Sequence, residues 1–234
     1  GTPDQLRFYL AKNDFWQLRH QSGRPSYFGT LTLECGQLKD AKYLVEQPLY
    51  DAETHGRFAH AGGTVHMRAV LCATENVMVV VLRAEGDGVE MAVELKPAAG
   101  ADGRTDSGAG TSSAWGVRRF DEGMEIPTAC AAALTVRGAD GLVFQLEPGR
   151  PVTIVAAMRG NFEDRDCIGA AKRLAAEADV EGLMESHHRW WADYWAKSYV
   201  DIGDPVIELQ YYKSNYNMGA CSRDREFPPP IFGW

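Results

Sequence analysis

Residues 77–95, VMVVVLRAEGDGVEMAVEL, decide the fold of this chain. Residues 77–82 are apolar at every position, which predicts a central strand covered on both faces. The tripeptide at 86–88, Gly-Asp-Gly, is a turn signal. Residues 89–95 then alternate apolar and polar side chains, the pattern of a half-buried strand. Together these segments indicate a sheet protein in which some strands are buried on both sides and others on one side.

The same rhythm of short strands and turn signals runs from residue 5 to about residue 158. In 64–72, alternate apolar residues share one face of a predicted strand: Val65, Met67, Ala69 and Leu71. Further candidate strands are 6–11, 30–35, 41–47, 115–120, 129–137, 142–146 and 152–157. About ten short strands without intervening helices predict a mainly β fold, an antiparallel β-sandwich, and not a parallel α/β sheet. Residues 97–113, rich in Gly, Ala, Ser and Asp, are predicted to form a mobile loop.

Three helices are predicted after Asn161, where the strand rhythm ends. Residues 166–178 are alanine-rich, and a second helix is expected over 180–197, with Trp191 and Trp195 on one face because they are four residues apart. Asp204 followed by Pro205 is a helix-start signal for a third helix over 206–221. The sandwich is therefore expected to continue into an α-helical segment.

The composition excludes several classes of function. Lys and Arg number 24 against 32 Asp and Glu, a net charge of -8, which argues against a broad nucleic-acid-binding surface. No apolar run approaches the roughly 20 residues needed to cross a bilayer. The five cysteines are widely spaced, odd in number and without a CxxC pair, so we expect buried thiols and not a zinc or redox site.

The helical region also carries a resemblance to a known class of proteins. The relevant pattern is His187-x-x-Trp190-Trp191-x-x-Tyr194-Trp195-x-x-Ser198, then Val200, Asp204, a tyrosine-rich helix with Tyr211, Tyr212 and Tyr216, and a Pro-rich exit at 228–234. It resembles the connection between an N-terminal β-sandwich and the catalytic (α/α)6 barrel of glycoside hydrolases of families 65 and 95. Residues 8–16, FYLAKNDFW, resemble the opening strand of such proteins.

This resemblance implies an organisation and a role for the chain. The sandwich would be a supersandwich of the galactose-mutarotase type over residues 1–160, followed by a helical linker over 161–203. Residues 204–234 would be the first helix and entry segment of a barrel whose catalytic acid and base lie downstream, so the chain itself would have no catalytic residue and no cofactor. The apolar end at Ile231, Phe232 and Trp234 fits a chain cut where a second domain starts. A periplasmic or extracellular location follows from the resemblance alone.

The candidate carbohydrate-contacting residues are Asn13, Asp14, Trp16 and Trp234. Amide and carboxylate groups hydrogen-bond sugar hydroxyls, and an indole stacks on a sugar ring. The alternative, which we favour for the N-terminal group, is that Asp14 caps a turn while the neighbouring aromatic residues pack.

No pattern in the sequence marks a catalytic or metal site. The carboxylates near predicted strand ends are expected to be solvated turn residues: Asp14, Glu46, Asp51, Glu53 and Glu75. No spacing pairs two of them across a scissile bond. His187 and His188 point about 100 degrees apart on a helix, and His60 and His66 lack ligand spacing, so no metal site is expected.

Three functions remain open on the sequence. The first is a non-catalytic scaffold domain of a glycoside hydrolase whose partner is its own barrel. The second is an independent carbohydrate-binding module, and the third is a sandwich used only for assembly. The helical linker and its tryptophans favour the first, because a free binding module needs no truncated aromatic helix.

Overall fold

The computed structural model describes residues 2–100 and 103–222. Within them, twelve strands precede three α-helices. The strands are β1 (Gln5–Arg19), β2 (Ser22–Glu34), β3 (Lys42–Glu46), β4 (Glu53–His60), β5 (Gly63–Leu71), β6 (Val77–Gly86), β7 (Val89–Pro97), β8 (Arg104–Ala109), β9 (Ser113–Phe120), β10 (Thr128–Arg137), β11 (Val143–Leu146) and β12 (Val152–Gly160). The helices are α1 (Cys167–Glu177), α2 (Val180–Trp195) and α3 (Pro205–Cys221).

The strands form two antiparallel sheets packed into a sandwich. The four-stranded sheet has the order β1-β2-β7-β11, and the eight-stranded sheet has the order β3-β4-β5-β6-β12-β10-β9-β8. The main core contains Leu31 and Val93 from the smaller sheet together with Val80 and Ile154 from the larger one. The prediction of a mainly β, antiparallel sandwich followed by helices is confirmed.

Strand β6 is covered on both faces, as its sequence predicts. It lies between β5 and β12 in the eight-stranded sheet. Met78 and Val80 point into the core between the sheets, whereas Val77 and Val79 belong to a second apolar cluster on the outer side. Helix α1 together with Val180 and Leu183 of α2 contributes to this outer cluster, which explains why Val77 and Val79 are apolar.

The alanine-rich character of α1 lets the helix lie close to the sheet. Ala171 and Ala175 are fully buried against the outer apolar cluster. Asp166 caps the helix by accepting a hydrogen bond from the Gly169 amide at 2.9 Å. At the other end, Arg137 of β10 donates to the carbonyls of residues 175, 176 and 178. The first helix is thus an outer layer of the sandwich.

Two strands were not predicted from the sequence. The prediction of a mobile loop over 97–113 is wrong for residues 104–109, which form the edge strand β8 paired with β9. Its single glycine, Gly108, lies under the Trp115 indole, where an added Cβ would lie 2.7 Å from Nε1. Strand β4 was missed because its residues do not alternate in polarity. Leu71, expected on the buried face of β5, is 57% exposed at the end of that strand.

Helix α2 folds back on the sandwich, and α3 packs on α2. Trp191 is 1% exposed and contacts Ala52 and Ala73 of the sheet region. The Trp195 indole donates to the Tyr50 carbonyl at 3.1 Å. The ring of Tyr216 from α3 stacks on Trp191, with centroids 5.2 Å apart.

The expected burial of the cysteines holds for four of the five. Cys35, Cys72, Cys130 and Cys167 are buried free thiols, and Cys221 is half-buried. Burial raises the pKa of the Cys130 thiol far above its ordinary value, so it stays protonated and unreactive. None of the helices in the described ranges is long and apolar enough to span a membrane.

Candidate functional site

A polar cleft of about 810 Å³ lies where the sandwich meets the end of α3. Its walls come from β1, the β5–β6 turn, the end of β12 and the last turn of α3. The polar lining residues are Lys12, Asn13, Asp14, Thr74, Glu75, Asn76, Arg159 and Glu163. The volume is in the range of small-molecule sites.

A bulge in β1 places the first three of these residues in the cleft. Ala11 pairs with Tyr27 and Trp16 pairs with Pro25, so four residues of β1 stand opposite a single residue of β2. Bulges of this kind redirect side chains and often occur beside functional sites. The expectation that Asp14 caps a turn is wrong, because Asp14 lies within a strand.

Asp14 is a buried carboxylate with one oxygen hydrogen-bonded and the other buried without a partner among the described residues. The residue is 7% exposed, and its Oδ2 accepts a hydrogen bond from Lys12 Nζ at 2.6 Å. Lys12 Nζ also lies 3.2 Å from Glu163 Oε2. Asp14 Oδ1 has no hydrogen-bond partner among the described residues. Asp14 lines the cleft, but this oxygen is itself buried and is not presented to a ligand there.

Asn13 connects the cleft to α3, while Trp16 faces elsewhere. The Asn13 side chain donates to the Cys221 carbonyl at 3.0 Å. The Trp16 indole donates to the Asn13 backbone carbonyl, but its ring does not line the cleft. Trp234 lies outside the described residues. The structure therefore brings Asn13 and Asp14 together without Trp16, and their contact with carbohydrate stays a prediction.

The remaining polar groups of the cleft are held in pairs. Arg159 donates to Glu75 at 2.9 Å, and the Asn76 amide donates to Glu163 at 3.2 Å. The cleft thus presents fixed donors and acceptors side by side, and none of the described residues that line it is aromatic. Such a surface can hydrogen-bond a polyhydroxylated ligand but offers no ring for stacking.

A second polar cluster, centred on Glu53, fastens α2 to the sheet. Glu53 is 4% exposed, and its Oε2 accepts from Arg68 Nε at 2.7 Å. Its Oε1 accepts from His188 Nε2 at 2.6 Å, and His55 Nε2 lies 3.0 Å from Oε2. Burial raises the pKa of Glu53, but the hydrogen bonds and charges of Arg68 and His188 outweigh it and lower the pKa to about 2. The carboxylate stays ionised at any physiological pH.

The sequence interpretation of these carboxylates needs correction. Asp14 and Glu53 were expected to be solvated turn residues, yet both are buried and paired with cations. Asp14 is paired with Lys12, two residues away, whereas Glu53 meets Arg68 across a strand pair and His188 from a distant helix. No local pattern signals the contacts of Glu53.

Helix α3 has two different apolar faces. One face packs on α2, where a Cβ added at Gly219 would lie 3.1 Å from the Trp191 ring. The other face is a shallow groove of about 600 Å³, which we call the α3 outer face. It is lined by Val206, Ile207, Gln210, Tyr211, Ser214, Asn215 and Met218. Val206 is 76% exposed and Met218 56% exposed.

No group of three His, Cys, Asp or Glu residues within 2–100 and 103–222 is placed to hold a metal ion. His187 and His188 diverge, as expected for neighbours on a helix. His187 Nε2 donates to the Asp51 carbonyl at 2.7 Å, while His188 contacts Glu53. Both histidines serve to attach α2 to the sheet.

Comparisons with known proteins give weak structural similarities. No family model matches the sequence, and no curated protein matches it. Two solved structures of the family GH92 α-mannosidase from Bacteroides thetaiotaomicron, one in complex with mannoimidazole, are similar with a TM-score of 0.35 and 10% identity. Each match covers 92% of this chain and 31% of that protein, so the chain spans about a third of its length. The GH92 enzyme is a glycoside hydrolase, but this similarity is too low to assign the chain to a family.

Proposed function

We propose that this chain is a non-catalytic scaffold of a glycoside hydrolase, a β-sandwich that holds a helical catalytic domain through α3. The observation that carries the proposal is the pair of apolar faces on α3. One face is anchored on the sandwich through α2, and the other is presented outward. The catalytic carboxylates would belong to the helical domain.

The position of α3 is fixed by several contacts. Besides the Trp191–Tyr216 stack, the Tyr194 hydroxyl donates to the Asn215 carbonyl at 2.8 Å. The Gln47 amide donates to the Tyr216 hydroxyl at 2.7 Å, which ties α3 directly to the sheet region. A helix held this firmly presents its outer face as a preformed surface, and helix packing is the usual way to bury such an apolar stripe.

Substitution of Ile207 tests the scaffold function. In a protein that carries the helical domain, Ile207→Asp is expected to weaken domain packing, because burying an isoleucine is worth about 1.5–3 kcal/mol. Calorimetry should show the unfolding of the helical domain shifted to lower temperature. In the 234-residue chain alone, the same substitution should leave the unfolding temperature unchanged, since Ile207 is exposed there.

Lys213→Asp is the matched control, because Lys213 is exposed on α3 and does not line the outer face. It should be neutral in both proteins. If Ile207→Asp lowers the unfolding temperature of the chain alone by the same amount, Ile207 stabilises the sandwich itself. If Ile207→Asp has no effect in either protein, the α3 outer face is not the docking surface.

A carbohydrate-binding role is the second candidate, favoured by the polar cleft that Asn13 and Asp14 line. Under the scaffold function, calorimetric titration with mono- and oligosaccharides should detect weak binding or none. Micromolar binding that is abolished in Asp14→Asn but kept in Asp140→Asn, an exposed aspartate elsewhere, would favour the carbohydrate-binding role.

A further inference from the structure

The outer face of the eight-stranded sheet is divided into two regions. Helix α1 covers β9, β10 and β12 with apolar contacts. Strands β3 to β6 carry, on the rest of that face, two rows of mostly polar side chains that run across the strands. The rows are Glu46–His55–Arg68–Val81 and Leu44–Arg57–His66–Arg83.

These two rows line a depression of about 530 Å³ in the sheet surface. All eight of their residues contribute to its walls. The volume is suited to a small organic molecule and exceeds what a bare inorganic ion needs. The depression is separate from the Asp14 cleft, with which it shares no lining residue in the described part of the chain.

Two of the arginines in the depression have no partner within the described residues. Arg68 is engaged by Glu53, and His66 Nε2 lies 3.3 Å from Glu85 Oε2. Arg57 and Arg83, in contrast, make no hydrogen bond or ion pair with residues 2–100 or 103–222, and both are exposed. They flank His66 on the two neighbouring strands.

The spacing of these strands lets both guanidinium groups reach one ligand. Adjacent strands lie about 4.8 Å apart, so the backbones at Arg57 and Arg83 are about 10 Å apart on the same face. Two like charges at this separation repel each other, and an oxyanion between them relieves the repulsion. A guanidinium group matches a carboxylate or phosphate through paired N–H donors. The net charge of -8 disfavours general attraction of anions, so binding would depend on this local pair.

Apolar residues at the ends of the rows indicate the rest of the ligand. Leu44 is exposed at the end of the Arg57 row, and Val81 ends the neighbouring row. We propose that this depression binds a small organic anion, whose carboxylate or phosphate lies between Arg57 and Arg83 and whose carbon skeleton packs against Leu44. This proposal does not depend on the scaffold function.

Titration followed by amide NMR tests the ligand class on the 234-residue chain. Benzoate and phenyl phosphate are the two oxyanion probes, benzamide is the neutral isostere of benzoate, and inorganic phosphate lacks the carbon skeleton. We expect at least one organic anion to shift the amide signals of β4, β5 and β6. Inorganic phosphate and benzamide should each bind at least about tenfold more weakly, a factor in affinity that corresponds to one charged hydrogen bond. Equal binding of benzamide, equal binding of inorganic phosphate, or no binding of either organic anion at millimolar concentration overturns the proposal.

Arginine substitutions locate the site. Arg57→Gln and Arg83→Gln are each expected to weaken binding of the better probe about tenfold. Arg150→Gln, at an exposed arginine outside the depression, should leave affinity unchanged. Because Arg57 and Arg83 are exposed and have no hydrogen bond or ion pair to lose within the described ranges, the amide spectra of the variants should stay those of the folded protein. Full affinity in the Arg57→Gln, Arg83→Gln double variant would overturn the proposal.

Discussion

Replacing Trp191 with alanine is expected to detach α2 and α3 from the sandwich. Trp191 is the one large side chain of α2 that is fully buried, and it contacts the sheet on one side and α3 on the other. Replacing a core tryptophan with alanine lowers the free energy of unfolding by about 3–5 kcal/mol, because apolar burial is lost and a cavity is left behind. Besides this ring, α3 is held on the sandwich by the Gln47–Tyr216 and Asn13–Cys221 hydrogen bonds. Because Trp191 contacts both helices, the cost should fall on α2 and α3 together.

Hydrogen exchange separates this local effect from global unfolding. In the unmodified protein, slow exchange should extend through α2 to Trp195. In Trp191→Ala, amides of α2 and α3 should exchange fast while β6, β10 and β12 stay protected, because their cores do not include Trp191. Tyr199→Ala, at a residue 81% exposed after α2, is the control and should change neither region. Unchanged protection of α2 and α3 in Trp191→Ala would contradict the bracing role of this residue.

The helices were predictable because their signals are local. Asp166, Asp179 and Asp204 each precede a helix and accept a hydrogen bond from its first turn, and all three are visible in the sequence. The central strand β6 was equally clear, since burial on both faces requires an uninterrupted apolar run. In these cases one segment carries all the information needed.

The missed elements depend on partners distant in sequence. Strand β8 has no apolar face of its own and exists through its ladder with β9. Strand β4 has Glu53 at a buried position, which becomes acceptable only when Arg68 and His188 supply charge and hydrogen bonds. Asn13 and Asp14 were flagged from their chemistry, but the bulge that turns them into the cleft follows from the pairing register of β1 and β2. Local sequence therefore predicts most of the strands and helices, whereas the sites depend on how those elements pack together.

Replacing Glu53 with glutamine is expected to destabilise the protein by about 3 kcal/mol at pH 7. The substitution keeps the size of the side chain but removes the charge that Arg68 and His188 surround. The estimate follows from the pKa of Glu53, which is lowered from 4.5 to about 2, since each unit corresponds to about 1.4 kcal/mol. Glu147→Gln, at a solvent-exposed ion pair with Arg150, is the control and should cost less than about 0.5 kcal/mol.

The pH dependence of this difference identifies its electrostatic origin. Because the pKa of Glu53 is lower in the folded state, its stabilisation is fully present above the unfolded value of about 4.5 and is lost as pH falls toward 2. Urea unfolding of the two proteins at pH 5, 4 and 3 should therefore show a gap in unfolding free energy that narrows as the pH falls below about 5. Comparing the two proteins at each pH cancels the titration of other carboxylates, which both share. A gap that stays constant down to pH 3 would mean that Glu53 stabilises the protein through packing, and that its charge does not hold α2 on the sheet.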